Sequence, residues 1–341
     1  LFVNNPEVNM AEGTPIKKVL IIRFSSLGDI VLTSLLIRCL KKQKQCQIHY
    51  LTKQTFAPLV SSNPYINKVW TTEAGMGTLL PLLKAEQFDL IVDLHNNLRS
   101  HRFRFGLWKV QVVSYHKANL AKWLAVYFKK FRFPKEHVAL RYLNALKRFG
   151  LKDDGDGLDY FIPDADHIDV SKYFGFSGPF LALVIGAAHF TKRIPIVKLK
   201  ELLTSFDPAM NIVLIGGKEE YAVAAQLSRP HIYNACGTMS VNQSASILQQ
   251  AHTVIAPDTG MMHIAAAFKK KIRSIWGSTL QEFGFWPFYG DKHPDQNLVF
   301  EIEGLPCRPC SRFGRHACPK GHFKCMLDHD MSAVSRSISM I

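Results

Sequence analysis

Lys17-Lys18-Val19-Leu20-Ile21-Ile22-Arg23-Phe24-Ser25-Ser26-Leu27-Gly28-Asp29 passes from a short β-branched apolar run into a Ser/Gly turn, and Ile30 to Lys42 then carry apolar residues at helical spacing. A continuous apolar run of this length suits a strand covered on both faces, as in a parallel sheet flanked by helices. Ile48-His49-Tyr50-Leu51 and Phe88-Asp89-Leu90-Ile91-Val92-Asp93-Leu94 read as further strands of the same unit. A second series opens with Phe180-Leu181-Ala182-Leu183-Val184-Ile185. It continues through Asn211-Ile212-Val213-Leu214-Ile215, Thr253-Val254-Ile255-Ala256 and Ile272-Arg273-Ser274-Ile275-Trp276. This alternation predicts two open α/β domains. The expected divisions are an N-terminal domain at 17–162, a linker at 163–179, a C-terminal domain at 180–325 and a tail at 326–341. Open α/β sheets bind ligands beyond the carboxyl ends of their strands, so chemistry is expected in the turns that follow them, in a cleft between the two domains.

The length of 341 residues suits two domains, and 47% hydrophobic with 20% charged residues is a globular composition. No apolar run approaches the roughly 20 residues that cross a bilayer. Leu1 to Pro15 lack the cationic start and apolar core of a signal peptide, so a cytosolic protein is expected. The chain opens on Leu, and Met10 is a candidate natural start. Of the formal net charge of +15, the segment Leu98–Arg148 carries +12, with Glu136 its only acid. Such a segment faces an anionic partner (phosphorylated lipid, a membrane surface or nucleic acid) or is a solubilising face.

Two turns are the strongest candidates for chemistry. Ser25-Ser26-Leu27-Gly28-Asp29 joins the first strand to the first helix, where free N–H groups collect and glycine permits close approach. Asp29 is either a reactive carboxylate there or a helix cap. The G-x-G-x-x-G spacing of ordinary dinucleotide sites is missing. The second turn, Pro257-Asp258-Thr259-Gly260-Met261-Met262-His263, leads into an Ala-rich helix and offers N–H groups and a hydroxyl to a phosphate; the alternative is a plain capped helix with a core histidine. Thr191-Lys192-Arg193 places cations after the second domain's first strand, and Gly216-Gly217-Lys218-Glu219-Glu220 offers a carboxylate to ribose hydroxyls.

With these residues the chain resembles glycosyltransferase family 9, the heptosyltransferases of lipopolysaccharide core synthesis. The likeness rests on Ser25–Val31, Thr191–Pro195, Gly217-Lys218-Glu219, Pro257–His263 and the late segment Phe285-Trp286-Pro287-Phe288-Tyr289-Gly290. The resemblance implies the GT-B fold, two Rossmann-like domains facing across a cleft, and metal-independent, inverting transfer of heptose from ADP-heptose. It implies Asp29 as general base and Lys192 on the leaving diphosphate. Ser25, Ser26, Gly28, Glu219, Asp258, Thr259, Gly260, Met261 and His263 would form the donor site, with no cofactor required. The sequence departs from the family pattern at Ile194, where an aromatic is usual, and at Lys271 and Ser278, where prolines are usual. These departures bear on the sugar more than on the nucleotide.

The expected acceptor is an anionic glycolipid whose phosphates meet His95, Arg99 and Arg102. Leu120, Trp123, Leu124, Tyr127 and Phe131 line one helix face, which either packs into a core or, with Lys129, Lys130 and Arg132 nearby, docks on the cytoplasmic face of the inner membrane. Three Asp-x-Asp pairs, at 154/156, 164/166 and 328/330, read as solvated loop acids rather than metal ligands. Cys39, Cys46 and Cys236 read as reduced buried thiols. Cys307, Cys310, Cys318 and Cys325 are candidates for a structural zinc or for plain packing. The rival readings are a GT-B transferase with another donor or acceptor, a basic nucleic-acid-binding protein with a zinc knuckle, and a catalytically dead scaffold. No nucleic acid is expected as a partner, because no groove-reading or single-strand motif is present. Retention of Asp29 and Lys192 argues against the scaffold.

Overall fold

The computed structural model describes residues 15–115, 117, 119–129 and 136–338. Met10, Lys130, Phe131, Arg132 and Lys135 lie outside these. The chain divides into two compact units, one ending at Lys117 and resuming over Val138–Phe161, the other made of 118–137 and 162–341.

In the first unit β1 (Lys18–Ile22) leads through α1 (Leu27–Val31) and α2 (Ser34–Lys44) to β2 (Gln47–Thr52). There follow β3 (Lys68–Thr71), α3 (Gly75–Ala85), β4 (Leu90–Asp93), α4 (Leu98–Gly106) and β5 (Gln111–Ser114). The five strands are all parallel in the order β3-β2-β1-β4-β5. Val19 to Ile22 are fully buried, as a central strand covered on both faces must be. The expected single helix over Ile30–Lys42 is two, since the chain turns at Leu32 and Thr33 between α1 and α2. The chain leaves through α5 (Asn119–Phe128), which groups with the second unit, and returns through α6 (Val138–Asn144). The buried Arg38 of α2 pairs with Asp154 and Asp159, tying the exit strand of chain back onto the helix. Asp154 is therefore an ion-pair partner, not a solvated loop acid.

From residue 162 the second unit continues with α7 (Val170–Phe174), a capped helix within the stretch expected to be a linker; Asp169 accepts from the Lys172 N–H at its start. Then come β6 (Phe180–Val184), α8 (Ile196–Thr204), β7 (Asn211–Ile215), α9 (Tyr221–Ala225), β8 (Ile232–Asn234) and α10 (Val241–Gln250). The chain continues with β9 (Thr253–Pro257), α11 (Gly260–Ala267), β10 (Lys271–Trp276), β11 (Asn297–Glu301), α12 (Lys324–Leu327) and α13 (Met331–Arg336). The six parallel strands run β11-β10-β9-β6-β7-β8, the doubly wound order. In each unit the strand order reverses once, between β1 and β4 and between β6 and β9. That reversal is where the crossovers leave opposite faces and a crevice opens at the strands' carboxyl ends.

Helix α5 sits opposite to a core-packing expectation. Lys122 and Ala125 are its buried residues, and the Lys122 ammonium lies 4.6 Å from the Phe285 ring centroid and 5.7 Å from that of Phe283. Leu120, Trp123 and Tyr127 point outward. The long stem of Lys122 packs as an apolar group while its charge meets aromatic faces.

Candidate functional site

In the first unit the residues after β1 and β4 form one connected cluster at the reversal point. Ser26 precedes α1, and the Asp29 carboxylate lies back over it: Oδ2 accepts from Ser26 Oγ at 2.7 Å and from the Ser26 N–H at 3.2 Å. Asp29 thus does cap the helix, but the cap is only half of its setting. Its Oδ1 lies 2.7 Å from the Arg23 guanidinium and accepts from the Tyr142 hydroxyl at 3.3 Å. Arg23 is buried and also donates to Ser25 O at 2.7 Å and to Leu94 O. It therefore joins the ends of β1 and β4 while holding Asp29. Tyr115 acts on Arg23 electrostatically, and its ring meets Tyr142 edge-on at 4.7 Å. Burial alone would raise the Asp29 carboxyl, yet Arg23 and Ser26 hold it below the ordinary carboxylate range. Burial pushes the Tyr142 phenol well up, so it stays a donor.

The turn after β4 is built by Asp93, fully buried, whose oxygens accept from the N–H groups of His95 and Asn96 and from Ser100 Oγ. His95 meets the Phe24 ring edge-on at 4.9 Å, and its Nδ1 is buried without a hydrogen-bond partner among the described residues. Burial, with Arg23 and Lys117 nearby, lowers its pKa to about 4. The imidazole is neutral at physiological pH, so it can meet a phosphate or hydroxyl only as a hydrogen-bonding ring. Arg99 and Arg102 of α4 are exposed, with the Arg99 guanidinium 6.0 Å from the Phe24 ring centroid. His95 and Arg99 therefore meet at Phe24, with Asp29 near enough to act on His95 electrostatically and Arg102 one turn further along the helix.

In the second unit the residues after β6 and β9 meet in the same way. Lys192 Nζ lies 2.6 Å from Asp258 Oδ2, which also accepts from Thr279 Oγ1 at 2.7 Å. Burial would raise the Asp258 carboxyl; Lys192, Thr279 and His263 pull it down. Asp258 thus holds Lys192 in place at the end of β9. Thr259 caps α11 by accepting the Met261 N–H at 3.0 Å, leaving Gly260 in the first turn. His263 is buried in that helix. Glu219 is largely exposed and pairs with Arg193 at 2.7 Å, and Arg193 also reaches Glu220 and Ala187 O. The ends of β7 and β8 approach so closely that a Cβ on Gly216 would stand 2.8 Å from Glu220 Cβ and 3.0 Å from Cys236 Sγ. Ile194 is core, and Ser278 donates to Thr191 Oγ1 at 2.8 Å, securing the turn before Lys192.

Arg23, Asp93, Tyr115, Tyr142 and Thr279 were not among the residues expected at these sites. Arg23 stands inside the quoted strand end and carried a signal, since a cation closing a buried apolar run needs a partner. Tyr142 lies 113 residues from Asp29 and carried none.

Cys39, Cys46 and Cys236 are free and buried, and burial pushes their thiols up to about 11, 11 and 12. The Cys39 Sγ and the carboxylates of Asp153 and Asp154 lie within 4.8 Å of one another, a group able to hold a cation. Arg38 already occupies Asp154. Cys307 Sγ lies 3.8 Å from His322 Nε2, and Cys310 Sγ donates to Cys307 O. Among the described residues no three of the four late thiols stand within 4.8 Å of one another.

The family model for "Glycosyltransferase family 9 (heptosyltransferase)" matches residues 76–310. Lipooligosaccharide heptosyltransferase 2 of Haemophilus ducreyi is 24% identical over 300 residues, covering 77% of this chain and 84% of the relative. Among solved structures, E. coli ADP-heptose lps heptosyltransferase II superposes with a TM-score of 0.68 at 16% identity, covering 94% of this chain and 96% of that one. E. coli heptosyltransferase WaaC with ADP gives 0.66 at 19% identity, covering 94% and 98%. These structures share the fold, two Rossmann-like domains of the GT-B type. The reversal-point turns of both units fall where such a fold binds ligands, and the family model spans most of the chain: it is a glycosyltransferase and belongs to family 9, the heptosyltransferases.

Proposed function

We propose that this enzyme transfers heptose from ADP-heptose to a phosphorylated lipopolysaccharide core or lipid A acceptor, inverting the anomeric carbon without a catalytic metal, with Asp29 as general base. The acceptor hydroxyl oxygen bonds to the anomeric carbon as the bond from that carbon to the diphosphate breaks. ADP leaves with the electron pair, and the hydroxyl proton passes to Asp29. The observation that carries the reading is the Asp29 carboxylate, kept ionised and aimed by Arg23, Ser26 and Tyr142 at the strand-order reversal. An acceptor hydroxyl would take the place at Oδ2 where Ser26 Oγ now donates. Ser25 and Gly28, in the same turn, would approach the donor through their backbone.

The second unit would hold ADP. Lys192, held by Asp258, would meet the developing charge on the diphosphate together with the first turn of α11, Gly260, Met261 and the hydroxyl of Thr259. Glu219 would take ribose hydroxyls, exchanging them for Arg193. His263, buried behind the helix start, would shape the pocket from beneath. His95, Arg99 and Arg102 would receive the acceptor's phosphates. No described helix is long and apolar enough to cross a membrane. The cationic segment and the outward rings of α5 support peripheral contact with the cytoplasmic face of the inner membrane. The four late cysteines would hold a structural zinc only after closing from their present spacing; metal analysis of the purified protein, before and after chelation, tests it.

Calorimetry with ADP, UDP and GDP tests the donor, and tight binding of UDP or GDP but not ADP would overturn it. Asp29→Ala is expected to retain ADP binding yet lose on the order of 10²–10⁴ in rate. Near-normal turnover would leave Asp29 a helix cap.

A further inference from the structure

We propose that the outward face of α4 is an interfacial wedge that seats the first unit in an anionic lipid surface. Leu98, Phe105 and Trp108 are 83%, 79% and 58% exposed, values that rank Leu98 and Phe105 above every other exposed large apolar side chain described. Their spacing of seven and three places them along one stripe of the helix and its exit turn. Arg99, His101 and Arg102 are exposed on α4 and Lys109 on its exit turn, where the Lys109 ammonium lies 5.3 Å from the Trp108 ring centroid. No acidic residue occurs between Asp93 and Glu136.

The stripe is not needed to hold the helix in place. Phe103 and Leu107 belong to the core of the first unit, and Ser100 bonds the buried Asp93. A Cβ on Gly106 would stand 2.4 Å from Leu80 Cδ2, so α4 and α3 are in the closest contact that glycine allows. A rigidly mounted helix that turns large apolar groups and cations outward fits a bilayer interface. The rings enter the boundary between headgroups and acyl chains, and the cations stay among lipid phosphates. The proposal deepens the peripheral-membrane reading by naming its element, and it rests on neither the donor nor the base.

The test is cosedimentation of the full chain, without donor or acceptor, on phosphatidylcholine vesicles with and without phosphatidylglycerol. The wild type is expected to bind the anionic vesicles in a salt-dependent way. Phe105→Ser/Trp108→Ser is expected to lose on the order of tenfold in partition, and Lys109→Glu about fivefold or more. ADP binding and the melting midpoint should be unchanged in both, because these side chains are exposed. Quenching of wild-type fluorescence by brominated lipid should fall in Trp108→Phe. Unchanged partition of the double variant would overturn the proposal. So would loss on Lys109→Glu alone, which describes a general polyanion surface such as nucleic acid prefers. Normal vesicle binding with lost turnover on detergent-dispersed acceptor would assign the face to the acceptor and overturn it too.

Discussion

Replacing Arg23 with methionine keeps an apolar stem of similar length and removes the one group that joins Asp29, Ser25 O and Leu94 O. Two backbone carbonyls lose a donor, and Asp29 is left with the Ser26 N–H and the Ser26 and Tyr142 hydroxyls. Removing one partner of a buried ion pair costs about 3–5 kcal/mol. The Asp29 side chain keeps 18% of its exposure, so water recovers part of its hydration and the lower end, about 3 kcal/mol, is expected. At ~2–4 °C per kcal/mol the melting midpoint should fall by roughly 6–12 °C. The fall should depend on pH. Against the upward push of burial, Arg23 holds the Asp29 carboxyl low. The pair therefore stabilises the fold fully above the ordinary carboxyl pKa of about 4, and this contribution is lost as pH falls through the depressed value. The difference between wild type and variant should be flat near neutrality and narrow in acid. Without Arg23, burial lifts the Asp29 carboxyl, so the acid limb of kcat/KM should move to higher pH. Thermal melts and kcat/KM across the same buffers read both effects. A midpoint within about 1 °C of wild type, or a gap that ignores acid together with an unmoved limb, would refute the reasoning. Arg23→Lys should restore only part, since one ammonium cannot serve three separated acceptors.

Lys192→Met leaves the buried Asp258 with the Thr279 hydroxyl and the nearby His263; a loss of about 3–5 kcal/mol in thermal melts and on the order of 10²-fold in kcat is expected. Gly216→Ala drives a Cβ into Glu220 and Cys236 and should cost about 1–3 kcal/mol in denaturant unfolding. Gly217→Ala, which meets only Glu220 Oε2 at 3.3 Å, should cost less. Iodoacetamide at mildly alkaline pH should label the partly exposed Cys307 and Cys318 well before Cys39, Cys46 and Cys236, because the thiolate reacts and burial pushes the latter thiols up; peptide mass spectrometry reads the order.

The central strands were legible because a strand covered on both faces carries a near-continuous apolar run, as in Val19–Ile22 of β1, Phe180–Val184 of β6, Ile212–Ile215 of β7 and Val254–Ala256 of β9. The strands without such a signal are β3, β5, β8 and β11, the four sheet edges. An edge strand is short and half-exposed, so Lys68–Thr71 or Asn297–Glu301 carries no continuous run. The turns after β1 and β9 were legible as strand-to-helix junctions for a similar local reason, since serine, threonine and glycine are favoured where a helix starts. Helix α5 misleads because amphipathic spacing defines a face without saying which way it points. Its buried side is set by Phe283 and Phe285, rings about 160 residues away along the chain.

The sequence by itself determined two open α/β units and the strand-to-helix turns at their strand ends, because burial on both faces and free helix-end N–H groups are properties of neighbouring residues; the doubly wound strand order came from the structure. Only the tertiary structure decided what each turn can do. Asp29 is a cap by its contacts with Ser26 and becomes an aimed, ionised carboxylate through Arg23 and Tyr142; Lys192 is a fixed cation only because β9 delivers Asp258 beside it. Charge state and aim depend on which distant groups share a desolvated space, and packing, not spacing, brings those groups together.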